Sequence, residues 1–154
     1  MGARAIAGRL AAIAAAVALV LVGATPAAAL DGAAFDPSYI VSDEQFYDGD
    51  ALDAEQIQAF LDAKAPVCDV WRSGRGLNQP PFTCLKDYPQ PVPTMAADEH
   101  SAPIEGARLS AAEIIAAVGT ACSVSPKALL VLLQKEQSLV TDRWPWRTQY
   151  DHAT

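Results

Sequence analysis

Basic residues are scarce in this chain. Eleven Lys and Arg stand against 18 Asp and Glu, a formal net charge of −7. Nothing in it neutralises a run of phosphates, which excludes nucleic acid as a partner. Histidine is scarcer still, at two residues. The three cysteines, Cys68, Cys84 and Cys122, lie too far apart for the paired spacing of zinc ligands. No metal and no cofactor is therefore expected. Nucleotide-binding glycine motifs are missing too, because Ser73-Gly74-Arg75-Gly76 has neither a strand before it nor a helix after it. Internal repeats are absent. The one long apolar run, Leu10 to Val22, is shorter than the ~20 residues that span a bilayer.

That run has a different meaning. Arg4 and Arg9 precede it, and the small residues Ala27-Ala28-Ala29 follow it. This is the layout of a secretory signal peptide over residues 1–29. Cleavage after Ala29 leaves Leu30–Thr154, 125 residues with nine basic and eighteen acidic side chains, a net charge of −9. The expectation is an exported protein, extracellular or in the cell wall, kept in solution by self-repulsion and free of the membrane once the leader is gone. Export implies an oxidising compartment and hence a disulfide. Three cysteines allow three pairings. Cys68–Cys84 is the first choice, because both lie in one loop-rich segment, and one cysteine is left over.

Three helix starts are marked by their caps. Asp53 with Gln56 and Ser110 with Glu113 have the spacing of capping boxes, and Leu52/Ile57 and Leu109/Ile114 that of hydrophobic staples. Ser125 precedes Pro126 at the first helical position, where a missing N–H costs nothing, with Val124 and Leu129 as a third staple. Each cap is expected to contribute ~1 kcal/mol. The predicted helices start at Ala54, run from Ala111 to about Ala121, and run from Pro126 to about Val140. Residues 35–44 read as an extended lead-in with turn chemistry. Eleven prolines and nine glycines, many of them between residues 66 and 107, thin out the usable core. Tyr88-Pro89-Gln90-Pro91-Val92-Pro93 reads as polyproline-like and Met95 to Gly106 as a flexible linker. After Trp146 no closing element is evident. The result is a mainly α chain with a long irregular Pro-rich region. It divides into a helical module at 30–66, a disulfide-containing loop and linker at 67–107, and a second helical segment at 108–154.

The chemistry centres on Glu136. On the helical wheel it falls between Leu132 and Leu133, on the face shared by Leu129 and Val140. A carboxyl in a buried apolar stripe near a helix C-terminus is expected to hold its proton, as a general acid must. The bland reading is a glutamate that reaches solvent or pairs with Arg143. Asp142 and Asp151 are nearby carboxylates that read as solvated loop acids. His100 reads as solvent-exposed, and Asp151-His152 is a weak acid–base pair. Trp144 and Trp146 fit two roles equally, stacking on sugar rings or sealing the end of a small core.

Ser125-Pro126-Lys127-Ala128-Leu129-Leu130-Val131-Leu132-Leu133-Gln134-Lys135-Glu136-Gln137 resembles the catalytic helix of the lysozyme-like superfamily, in particular soluble lytic transglycosylases and goose-type lysozymes. These have a Pro-led helix, an aliphatic run and then a Glu. Transglycosylases commonly carry Ser after that Glu, where this chain has Gln137. The Gly-Leu-Met-Gln-like and Ala-Tyr-Asn-like segments of the family are not present. The resemblance implies an incomplete lysozyme-like domain beginning near residue 108. It also implies peptidoglycan glycan strands as partner and a glycosidase or lytic transglycosylase activity. Glu136 would be the acid/base, with Trp144, Trp146 and Gln137 beside the substrate. Residues 35–44, 54–61, 81–88 and 132–137 also resemble a family of secreted, largely actinobacterial proteins often labelled haemagglutinin-like. Its members run longer and carry further cysteines, so this chain reads as a fragment whose odd cysteine has its partner elsewhere. The alternatives are a non-catalytic secreted wall-binding or adhesion protein and an inactive fragment.

Overall fold

Two of the three capped helices start as their caps require. In the computed structural model, which describes residues 36–153, Asp53 Oδ1 accepts from the Gln56 N–H at 2.8 Å and Gln56 Oε1 accepts from the Asp53 N–H at 3.0 Å. The Ser110–Glu113 box closes in the same way, at 3.3 and 2.7 Å. The segment read as a signal peptide lies outside the described residues. The elements are α1 (Asp43–Phe46), α2 (Ala54–Lys64), a 3-10 turn (Leu85–Asp87), β1 (Pro89–Val92), β2 (Ala107–Ser110), α3 (Ala111–Cys122), α4 (Pro126–Gln137) and α5 (Arg147–Asp151). The architecture is mainly helical, and residues from Tyr39 onward form one unit.

The third cap departs from expectation. Ser125 is 1% exposed and its Oγ caps nothing. Its carbonyl already receives the Ala128 and Leu129 N–H groups, and Pro126 has no N–H to satisfy. The first turn of α4 is thus closed by backbone alone. The Ser125 N–H points elsewhere and donates to the Phe46 carbonyl at 2.7 Å, tying α1 to the start of α4. The helix also ends earlier than expected. Ser138 adopts a left-handed conformation (φ 58°) and its N–H bonds the Gln134 and Leu133 carbonyls. Leu139 and Val140, 1% and 4% exposed, turn back into the core from outside the helix.

The Pro-rich stretch and the linker are ordered, contrary to expectation. β1 and β2 pair antiparallel, Pro89 opposite Ser110 and Val92 opposite Ala107. The Ala111 N–H donates to the Tyr88 carbonyl at 2.9 Å, which puts Gln90 and Val92 at the hydrogen-bonding positions and Pro89 and Pro91 at the others. Proline is tolerated there because its missing N–H faces away from the partner strand. Met95 and Ile104 exchange two further bonds at 2.9 and 3.0 Å, and Ile104 is buried. Asp98 closes the tip by accepting from the N–H groups of His100 and Ser101. The expected extended lead-in at 35–44 runs into a helical turn, α1, capped by Ser42. After Trp146, where no element is evident in the sequence, a short helix, α5, forms; its Tyr150 stacks on Tyr88 at 4.1 Å and donates to the Thr83 carbonyl at 2.7 Å. Burial, reinforced by the nearby Tyr88, Asp142 and Asp87, pushes the Tyr150 phenol far above its ordinary range, so it stays a donor.

The core lies between α2, α3, α4 and the segment after α4. Ile57, Leu61, Leu85, Ala111, Ala112, Ile115 and Leu130 are its buried members, together with Leu139 and Val140. Full burial of Ile57 and Leu61 contributes roughly 1.5–3 kcal/mol each. α3 is central, and Gly119 lets two neighbours approach it. A Cβ at Gly119 would stand 2.8 Å from Pro126 Cγ and 3.0 Å from the Gly49 carbonyl oxygen. A Cβ at Gly49 would stand 2.5 Å from the Gly119 carbonyl oxygen. The expected cysteine pair forms: Cys68 and Cys84 are bonded, and Cys122 is free and exposed.

Two outcomes follow. Gly49→Ala meets rigid backbone and is expected to destabilise the protein by roughly 1–3 kcal/mol, read as a lowered thermal midpoint. The backbone and hydroxyl of Ser110 hold the Glu113 carboxyl below its ordinary range. A depressed folded value means that the box stabilises the fold above the unfolded carboxylate range and loses that contribution as pH falls through the folded value. An NMR titration of the Glu113 carboxyl is expected to show a midpoint below that of a free glutamate.

Candidate functional site

α4 carries apolar residues around much of its circumference, and its packing decides which of them are buried. Pro126 and Leu130 face the core, Leu129 and Leu133 are partly covered, and Val131 and Leu132 remain 59% and 53% exposed. Glu136 lies six residues beyond Leu130, about 240° around the wheel. It does share a face with Leu129 and Leu132, but that face is a shoulder of the helix, not the buried stripe. The Glu136 side chain is exposed. The expectation of a buried carboxyl is therefore corrected: the contact of Pro126 with Gly119 rotates α4 so that the Pro126–Leu130 line points inward. Val140, which helped define the expected stripe, is not in the helix at all.

Glu136 nevertheless stands in a groove. α1 and its flanks form one wall and α4 the other, enclosing about 850 Å³. Ile40, Val41 and Phe46 contribute apolar surface from the first wall, and Leu129, Val131 and Leu132 from the second. Glu44 and Asp48 bring acids to the first wall, and Lys127 and Lys135 bring cations to the second. The backbone at the start of α1 and the Ser42 hydroxyl hold Glu44 below the ordinary carboxylate range, so it is ionised at neutral pH. Among the described residues no ion pair or hydrogen bond engages the Glu136 carboxylate. Arg143 turns instead to the disulfide loop, donating to the Val67 carbonyl at 3.1 Å and pairing with Asp69 at 3.5 Å.

The other expected site residues lie elsewhere. The Gln137 side chain donates to the His152 carbonyl at 3.4 Å, and its own carbonyl accepts from Gln149 Nε2 at 2.7 Å. It joins α4 to α5 and does not line the groove. Trp144 and Trp146 meet edge to face at 5.7 Å, and Trp144 meets Phe82 in the same manner. They border a separate pocket with Arg72 and Arg75, and the structure does not bring them to Glu136. Asp142 is half-buried: it accepts from the Trp144 N–H at 2.8 Å and from Gln149 Nε2 at 3.0 Å, and so pins the loop between α4 and α5. Asp151 is exposed and pairs with Arg147 at 3.8 Å.

A third hollow, of about 620 Å³, lies between the start of α2, β2 and α3, and three of its four acids, all but Glu105, are already engaged. Asp53 and Glu113 accept in the capping boxes, and Asp50 accepts from Thr120 Oγ1 at 2.8 Å. Among the described residues no group of three or more His, Cys, Asp or Glu is placed to hold a metal, and no helix is long and apolar enough to cross a membrane. The groove's acids on the first wall could be anticipated only from the turn chemistry around Ser42, since nothing in the sequence places α1 against α4. No family model, curated protein or solved structure matches the chain.

Asp142→Asn keeps the shape and weakens two hydrogen bonds. It is expected to cost about 1 kcal/mol in thermal or urea melts, and to leave any action of the protein on glycan unchanged.

Proposed function

We propose that this is an exported protein that acts on peptidoglycan, binding a glycan strand in the groove between α1 and α4 and cleaving it with Glu136 as general acid/base. One observation supports the reading above others: the only acid in the stretch resembling a transglycosylase helix stands on a wall of the groove. The Cys68–Cys84 bond fits a protein that matures in an oxidising compartment. Glu136 is exposed in the free protein, and a strand lying against Leu129, Leu132 and Phe46 would close the groove over it.

In the first step Glu136 gives its proton to the glycosidic oxygen as the C1–O bond breaks. In the second, the resulting carboxylate takes the proton of the sugar's own 6-hydroxyl as that oxygen bonds C1, giving an anhydro product and restoring the acid. This route needs one carboxyl. A hydrolytic route would need a second at a defined separation, and Asp142 is committed to its loop.

A second reading has an observation of its own. The exposure of Glu136 and its separation from Trp144 and Trp146 favour a non-catalytic wall-binding protein that uses the same groove. Incubating the purified protein with cell walls and analysing released muropeptides by mass spectrometry separates the two. The enzyme reading expects soluble anhydro-muropeptides, reduced about a hundredfold or more by Glu136→Gln, with wall binding retained. Co-sedimentation with walls and no soluble product from the wild type would leave the binding reading alone. Equal release by the wild type and the variant would remove Glu136 from the chemistry.

A further inference from the structure

The loop closed by Cys68–Cys84 is rigidly built and carries two cations in a strongly acidic chain. Its base is fixed by the disulfide, by the Asp69 N–H donating to the Arg143 carbonyl at 2.6 Å, and by the Phe82 N–H donating to the Val70 carbonyl at 2.8 Å. Its tip is fixed by Arg75 and Asn78, which exchange backbone hydrogen bonds at 2.9 and 3.0 Å around Gly76 (φ +57°). Gly74 has no room for a side chain, because a Cβ there would stand 1.8 Å from the Asn78 carbonyl oxygen. The loop therefore presents Arg72 and Arg75 on a fixed frame.

These arginines face an aromatic floor. Arg72, Ser73, Gly74, Arg75, Trp144 and Trp146 enclose a pocket of about 490 Å³. The Arg72 guanidinium lies 4.1 Å from the centre of a Trp144 ring and also contacts Asp69 at 4.0 Å, so its charge is partly engaged. Arg75 is exposed and makes no ion pair with a described residue. Trp144 Nε1 is buried without a partner. The pocket thus combines a free guanidinium fork, which suits a carboxylate, with Trp146, a half-buried indole able to pack against the apolar face of a pyranose. A neutral sugar would leave the fork unused, and a simple anion would leave the indole unused.

We propose that this pocket is a binding site for a carboxylate-bearing saccharide, separate from the groove of Glu136, with Arg75 holding the carboxylate and Trp146 the ring. The identification of that saccharide with the lactyl-bearing sugar of peptidoglycan rests on the functional reading above. The site gives the protein a second hold on its polymer, one that distinguishes acidic from neutral sugar units.

The test compares two tetrasaccharides of equal length by isothermal titration. One alternates N-acetylglucosamine and N-acetylmuramic acid, and the other is all N-acetylglucosamine. The wild type is expected to bind the carboxylated one about tenfold more tightly, with the preference shrinking as salt rises. Arg75→Gln, at an exposed position that leaves the fold intact, is expected to abolish the preference, whereas Glu136→Gln is expected to retain it. Equal affinity of the wild type for the two ligands would overturn the proposal, as would a preference that survives Arg75→Gln in a variant whose thermal midpoint is unchanged. A wild type that releases anhydro-muropeptides yet shows no preference would refute this site alone. A preference without any release would refute the catalytic reading alone.

Discussion

The close approach of Gly49, Gly119 and Pro126 is the contact on which the groove between α1 and α4 depends. Gly119 sits in the last turns of α3, the central helix of the core. Because it has no side chain, the turn after α1 rests on it from one side and the first residue of α4 from the other. Those two neighbours carry the two walls of the groove. The Ser125–Phe46 hydrogen bond then joins the walls directly. Two positions without a Cβ, Gly49 and Gly119, therefore permit both the spacing of the groove and the rotation of α4 about its own axis. That rotation puts Glu136 on the rim and Leu130 in the core.

For the proposed chemistry, the consequence would be a division of labour between fold and ligand. A carboxyl buried in a stripe of leucines would be desolvated in advance, at a cost to stability. The observed arrangement avoids that cost: Glu136 remains exposed, and an apolar shelf of Leu129, Leu132 and Phe46 stands beside it. The surface is also segregated by charge. The groove mixes acids and lysines, whereas the pocket under the disulfide loop is lined by arginines and tryptophans. In a chain with so large an excess of acids, that local reversal of sign depends on the rigid loop that gathers Arg72 and Arg75.

The legible parts of the sequence were those governed by local chemistry. The Asp53–Gln56 and Ser110–Glu113 boxes act within four residues, and both form. The Cys68–Cys84 bond closes a short loop, and it too forms. The illegible parts depend on partners distant in sequence. Pro89 to Pro93 reads as polyproline-like because its own residues favour extended backbone. It becomes a strand because Ala107–Ser110 pairs with it, and because its prolines alternate so that no ladder N–H is lost. The small, polar stretch from Met95 to Gly106 looks like a tether until Ile104 is buried and bonded to Met95.

The capping boxes at Asp53 and Ser110 were decided by residues acting on near neighbours and the net charge by composition, so the amino-acid order alone determined them; it left three cysteine pairings open, of which the fold forms Cys68–Cys84. Tertiary structure decided which arc of a broadly apolar helix faces inward, that Leu139 and Val140 leave α4 before entering the core, and that Gln137 serves α5 and not the groove. It also separated Trp144 and Trp146 from Glu136. The physical reason is common to these cases. A helical wheel states which side chains share a face, but the helix buries the face on which its neighbours can approach most closely, and here a glycine on another helix determines that approach.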